Sequence, residues 1–224
     1  MSSDVKEARS LIDPLKSRVT PGTLFVVSSP SGGGKGTLIK RVLETVPDLS
    51  YSVSYTTRAP RNGEMNGREY FFIDRETFER MVHAKEFLEW AVVHGNLYGT
   101  SRRQVAEEIA AGSDIVLEVD VQGAASIREL PLDAVSIFIL PPSYETLKER
   151  LIARGTDSPE ELAVRLRNAP EELEQFTCFD YVIINDDVDR AAHQLASIIY
   201  SERARCERQD NVVKEVIENF KPIN

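Results

Sequence analysis

The stretch "TLFVVSSPSGGGKGTLIKRVLETV", residues 23–46, limits the fold more than any other part of this 224-residue chain. Its opening run, short, apolar and partly β-branched, predicts a buried strand over 23–28. A helical pattern follows over 35–46, and Pro47 ends it. Between the two lie Pro30, Ser31, Gly32, Gly33, Gly34 and Lys35. Glycine lets a backbone adopt positive φ and come close to a ligand, where side chains would block an anion. Such a loop at the start of a helix aims several N–H groups and the positive end of the helix dipole at one point. The pattern is that of a phosphate-binding loop, with Lys35 reaching the outer phosphates as a point charge.

The loop departs from G-x-x-x-x-G-K-[ST] at both ends. Ser29 stands in place of the first glycine, and Gly36 in place of the hydroxyl residue that commonly reaches Mg²⁺. Thr37 follows and offers a hydroxyl to a phosphate oxygen or a metal-bound water. Mg²⁺ is therefore expected to be held mostly by nucleotide phosphates and water, with Thr37 and Asp120 in or near its inner shell.

Further apolar runs recur at "DIVLEVD" (114–120), "AVSIFIL" (134–140) and "YVIIN" (181–185), separated by helical patterns. That alternation predicts an α/β fold with a mainly parallel sheet. Asp120 ends its strand beside the loop, where a carboxylate can serve a metal or cap the next helix. Two segments break the rhythm. Residues 50–100 are β-rich and aromatic, with turn dipeptides at Asn62-Gly63 and Asn66-Gly67 and a short helix "RETFERMVH". Residues 141–175 are charged and helical around a Gly-Thr-Asp-Ser turn, a form suited to a lid. There Arg150 and Arg154 share one helix face, with Arg165 and Arg167 on the next helix.

Within the first of these segments, Arg58 and Arg61 flank Pro60 and precede Tyr70. Two guanidinium forks and a phenol suit a phosphate monoester. The net charge of −9, from 36 acidic and 27 basic residues, argues against a nucleic-acid or membrane-surface partner but not against a small anion. No run is long and apolar enough to span a bilayer. Cys178 and Cys206 are too few for a disulfide framework, and both are expected as reduced thiols of a cytoplasmic protein. Cys178, in "FTCFDYVII", and Trp90, in "EFLEWA", are expected in the core. The tail sets Val212, Val213, Val216, Ile217 and Phe220 on one helical stripe, which packs either on the chain's own core or on a second subunit.

The strings "SPSGGGKGT", "SYTTRAPRNGE", "NGREYFF", "EFLEWA", "GNLYGTS", "LEVDVQGA", "LPPS", "RLIARGT" and "VIINDD" occur in order from about residue 22 to 205. Together they closely resemble the guanylate kinases. The resemblance implies a P-loop nucleoside-monophosphate kinase fold, a parallel-sheet core with a small β-rich GMP-binding insertion and a helical lid. It implies transfer of a phosphoryl group from ATP to GMP. On this reading residues 1–20 are an extension, 21–53, 104–140 and 176–205 the core, 54–103 the insertion, 141–175 the lid and 206–224 a helical tail.

Carried over by position, Arg58, Arg61, Tyr70 and Tyr98 hold the GMP phosphate. Ser54, Glu89 and Thr100 read the guanine. Glu118 and Asp120 lie near GMP or the metal. Arg154 and Arg165 swing over the ATP phosphates, with Arg150 as a further ATP contact and Asn185 on the adenine side. The chemistry of Glu89 agrees: guanine presents N1–H and N2–H₂ side by side to one carboxylate, and adenine does not. Two other readings stand beside this one. "GKGT" also suits a different small-molecule kinase, and guanylate-kinase-like modules of scaffold proteins bind partners without catalysis. "TTRAPRNGE" and "LEWAVVHGNLYGTS" argue against the first, and the retained Lys35 against the second.

Overall fold

The computed structural model describes residues 20–93, 95–155 and 158–220, apart from the side chains of Arg154 and Glu215. Residues 1–19 of the expected extension, His94, residues 156–157 of the expected lid and residues 221–224 of the expected tail lie outside that set. Strand β1 (Leu24–Ser28) is buried throughout, as an apolar run covered on both faces must be. It sits at the centre of a five-stranded sheet in the order β2 (Leu49–Tyr51), β7 (Asp114–Glu118), β1, β8 (Ala134–Leu140) and β9 (Tyr181–Ile184). All neighbouring strands run parallel.

The two-residue period of β1 divides the core. Phe25 and Val27 pack with Leu38, Ile39 and Val42 of α1 (Lys35–Thr45) and Leu195 and Ile199 of α7 (Val188–Arg203). Leu24 and Val26 face the opposite layer. There they meet Val105 of α3 (Arg102–Ala110) and Ala124 and Ile127 of α4 (Val121–Arg128). The chain leaves β1 for one side of the sheet and later fills the other. The loop after β1 therefore opens at the switch in strand order, where ligands of open α/β sheets bind.

A second sheet interrupts this core, in the order β4 (Phe71–Phe72), β3 (Tyr55–Thr56), β6 (Asn96–Ser101) and β5 (Phe87–Val93). β3 and β4 run parallel and the other pairs antiparallel. Phe78 of α2 (Arg75–His83), Phe87 and Leu97 form its own apolar centre. Asp74 caps α2 by accepting the Thr77 N–H at 2.7 Å. The two Asn-Gly dipeptides do form turns, with positive φ at Gly63 and Gly67.

Helices α5 (Tyr144–Arg154) and α6 (Pro159–Glu174) pack on each other through Leu147, Leu151 and Ala169. A capping box between Ser158 and Glu161 starts α6. No helix among the described residues is long and apolar enough to cross a membrane.

Two sequence expectations are corrected, and one of the two alternatives for the tail falls away. Cys178 is exposed, because it lies in a 3₁₀ turn before β9, and Phe179 takes the inward position by packing on Phe138. Trp90 is 45% exposed, because Glu89 and Ala91 on either side of it face inward. The tail does form a helix, α8 (Asp210–Asn219), but its apolar stripe is exposed and does not pack on the core.

Candidate active site

The glycine loop closes on itself and on the helices behind it. Gly33 N–H donates to Pro30 O at 2.9 Å. Gly34 caps α1 with φ +92°, and a Cβ there would lie 2.3 Å from Asn185 Nδ2. That amide donates to Gly33 O at 3.0 Å, and Arg150 Nη2 donates to Asn185 O at 2.8 Å. At Gly32, a Cβ would meet Leu147 Cδ1 at 2.9 Å. The glycines thus serve close packing of the loop on α5 and Asn185, a need that adds to the expected access for an anion. Asn185 and Arg150 brace the back of the loop.

Lys35 projects into a cleft, with its Nζ 3.9 Å from Glu118 Oε1. Tyr51 donates to Glu118 Oε2 at 3.3 Å. Burial, reinforced by the Glu118 charge, pushes the Tyr51 phenol well above its ordinary range, so it stays a donor. At Gly36 a Cβ would lie 3.4 Å from Glu118 Oε2, so this carboxylate stands beside the position where the loop lacks a hydroxyl. Asp120 lines the cleft while its Oδ1 accepts the Gly123 N–H at 2.8 Å, so it caps α4 as well.

From the other wall come Ser54, Arg58, Arg61, Tyr70, Glu89 and Tyr98, and from α6 come Arg165 and Glu172. Arg58 is held by Tyr98 Oη at 3.2 Å, Glu64 Oε1 at 2.9 Å and Ala59 O at 2.7 Å, with its guanidinium over the Tyr70 ring. Burial opposes its charge, but Glu64 and Tyr98 outweigh burial and raise its pKa. Glu64 also accepts the Arg61 N–H at 2.7 Å. Glu89 is buried and accepts the Thr100 hydroxyl at 2.6 Å. Burial pushes its carboxyl up to about 7, with the Thr100 bonds acting against the shift and the Asp120 charge with it.

One cleft therefore joins an anion loop to an arginine–tyrosine wall with a buried carboxylate. Residues 22–202 match the family model described as guanylate kinase. The chain belongs to the guanylate kinase family. The guanylate kinase of Symbiobacterium thermophilum is 49% identical over 88% of this chain and 93% of its own length. That of Dechloromonas aromatica is 51% identical over 80% and 88%. The crystal structure of guanylate kinase from Anaplasma phagocytophilum superposes with a TM-score of 0.73 at 34% identity, covering 92% of this chain and 98% of that one. The fold is that of a P-loop nucleoside-monophosphate kinase.

Measured against what resemblance to guanylate kinases implied, most of the named residues converge. Ser31, Gly32 and Lys35 of the loop, Ser54, Arg58, Arg61, Tyr70, Glu89 and Tyr98 of the insertion, and Glu118, Asp120 and Arg165 all border the cleft. Several stand elsewhere. Thr100 is fully buried behind Glu89. Gly36 and Thr37 are exposed at the start of α1, outside the cleft lining. Arg150 and Asn185 lie behind the loop, and the loop residues Pro30, Gly33 and Gly34 stand outside the cleft lining. Arg154 closes α5, and its side chain is outside the described set.

Three participants had no role in the sequence reading: Tyr51, Glu64 and Glu172. Glu64 carries a signal in retrospect, three residues beyond Arg61 in "RAPRNGE". Among the described residues no group of three acidic, histidine or cysteine side chains could hold a metal alone. The hard oxygen donors of Glu118 and Asp120 do border the cleft, and such a thin donor set fits an Mg²⁺ that arrives already bound to nucleotide phosphates.

Proposed function

We propose that this cleft transfers the γ-phosphoryl group of ATP to GMP, giving ADP and GDP. The observation that carries the reading is Glu89, a buried carboxylate opening on the same cleft as Lys35 and the Arg58–Tyr98 wall. A guanine ring offers this group two adjacent N–H donors. Adenine offers none in that arrangement and would leave the carboxylate unpaired.

Each residue takes a role from its surroundings. Lys35 and the loop N–H groups hold the ATP phosphates, and Arg165 on α6 faces them. Arg58 and Arg61, with Tyr70 and Tyr98, align the phosphate of GMP. Ser54 borders the base pocket, and Thr100 orients Glu89. Asn185, Arg150 and the glycines behind Lys35 keep the loop in shape. Arg154 is assigned to the ATP phosphates on the family resemblance alone.

The attacking atom is an oxygen of the GMP phosphate, already anionic, so no general base is needed. Its bond to the γ-phosphorus forms as the bond from that phosphorus to the β–γ bridging oxygen breaks, and ADP departs. Lys35 and the arginines neutralise charge on the group in transit. Asp120 and Glu118, with Thr37, would hold Mg²⁺ or its waters, and the ion would supply charge neutralisation on the nucleotide phosphates. Closure of the α5–α6 pair and the insertion would keep water from the phosphoryl group.

The test is a coupled assay of ADP release from ATP. Release that depends on added GMP supports the reading. No release with GMP present contradicts it and favours a binding module.

A further inference from the structure

Helix α6 grips Ser31 of the loop from two sides. Arg165 Nη1 donates to Ser31 Oγ. The Ser31 N–H in turn donates to Glu172 Oε2 at 3.2 Å. Arg165 and Glu172 are seven residues apart on α6, two turns along one face, and both line the cleft. The N–H groups of such a loop are aimed at a bound anion. Here one of them already has an anion, supplied by the protein.

Charge makes this arrangement exclusive. A nucleotide polyphosphate on the loop brings several negative charges beside Glu172, with Asp120 on the same cleft. One N–H cannot serve both a phosphate oxygen and the carboxylate, and the like charges repel. Burial raises the Glu172 carboxyl, Asp120 adds to the shift, and the Ser31 N–H, Lys35 and Arg165 oppose it. The group is thus already held against a penalty that a polyphosphate would increase.

We infer that Glu172 is a positioning residue that stands in for a phosphate on the Ser31 N–H of the empty loop and gives it up when ATP binds. The exchange unlocks α6 from the loop and frees Arg165 to turn from Ser31 to the phosphates. It rests on the reading of the loop as the ATP site.

The test measures ATP affinity without GMP, by calorimetric titration, for the wild type, Glu172→Gln and Glu172→Ala, with thermal melts of each with and without saturating ATP. Removing the competing charge should tighten ATP binding about three- to tenfold in both variants. Glu172→Ala should melt below the wild type when empty, and the gap should close or reverse with ATP. A residue that only supported the fold would lose affinity together with stability. Unchanged or weaker ATP binding in both variants, with the wild type binding normally, overturns the inference. A wild type that binds no ATP instead contradicts the reading of the loop itself.

Discussion

The Thr100 hydroxyl donates to Glu89 Oε1 over 2.6 Å, and the two residues face each other across β6 and β5. Thr100 is fully buried, so the bond fixes the carboxylate that opens on the cleft. In the proposed function this pair reads the base.

Glu89 should make GMP binding depend on pH. Burial pushes its carboxyl up to about 7, and only the anion accepts both guanine donors. GMP affinity should therefore fall as pH drops below about 7. Folding stability runs the opposite way. With the folded value raised above the unfolded one, the contribution is complete at low pH and is lost as pH rises from about 4.5 through about 7. Glu89→Gln should remove both dependences. It should raise the KM for GMP about a hundredfold or more with little change for ATP, and stabilise the empty protein at pH 8 by up to about 3 kcal/mol. Titrations and melts across pH 5–8.5 measure these effects. An equal loss of GMP and ATP binding would remove Glu89 from the base pocket.

Lys35→Ala should lower kcat by about 10²–10³-fold, the scale of losing one preorganised charge at the reacting group. Lys35 is part of no apolar cluster, and its nearest carboxylate, Glu118, is 3.9 Å away. The variant should keep its circular dichroism spectrum. Near-normal turnover would refute the assignment of the loop.

Glu64 ties Arg58 and Arg61 together, accepting from the side chain of one and the backbone of the other. Arg61→Ala and Glu64→Ala should each raise the KM for GMP about tenfold, one unit of charge-assisted contact or its alignment, and leave the KM for ATP near the wild-type value. Steady-state kinetics with each substrate varied separates the cases. An effect confined to ATP would place the arginine pair on the wrong substrate.

Gly34→Ala meets two obstacles, a φ of +92° and the Asn185 amide 2.3 Å from the new carbon. Backbone strain of this kind costs about 1–3 kcal/mol. The expected result is a lower Tm together with weak ATP binding, read by calorimetry and titration. A variant as stable as the wild type would mean that the loop relaxes freely around Asn185.

Local chemistry made much of this legible. The strand–loop–helix unit around Lys35 is set by period and glycine placement, and β8 spans the very run 134–140 that was apolar. The Asn-Gly turns followed from positive φ. What stayed hidden depends on which elements meet in space. Glu172 reads as one more charge on a solvated helix until α6 sets it against Ser31. Tyr51 reads as a strand aromatic until Glu118 faces it. Thr100 was read as a base contact, and only the pairing of β5 with β6 turns its hydroxyl to Glu89. Cys178 misled because an apolar neighbourhood in sequence includes the turn that precedes a strand.

The most direct test is the rate of phosphate transfer from ATP to each nucleoside monophosphate in turn, compared as kcat/KM. GMP should exceed AMP, CMP and UMP by about 10⁴-fold or more, the discrimination expected when the wrong base leaves a buried carboxylate unpaired. Comparable transfer to AMP would contradict the role of Glu89 as the reader of guanine.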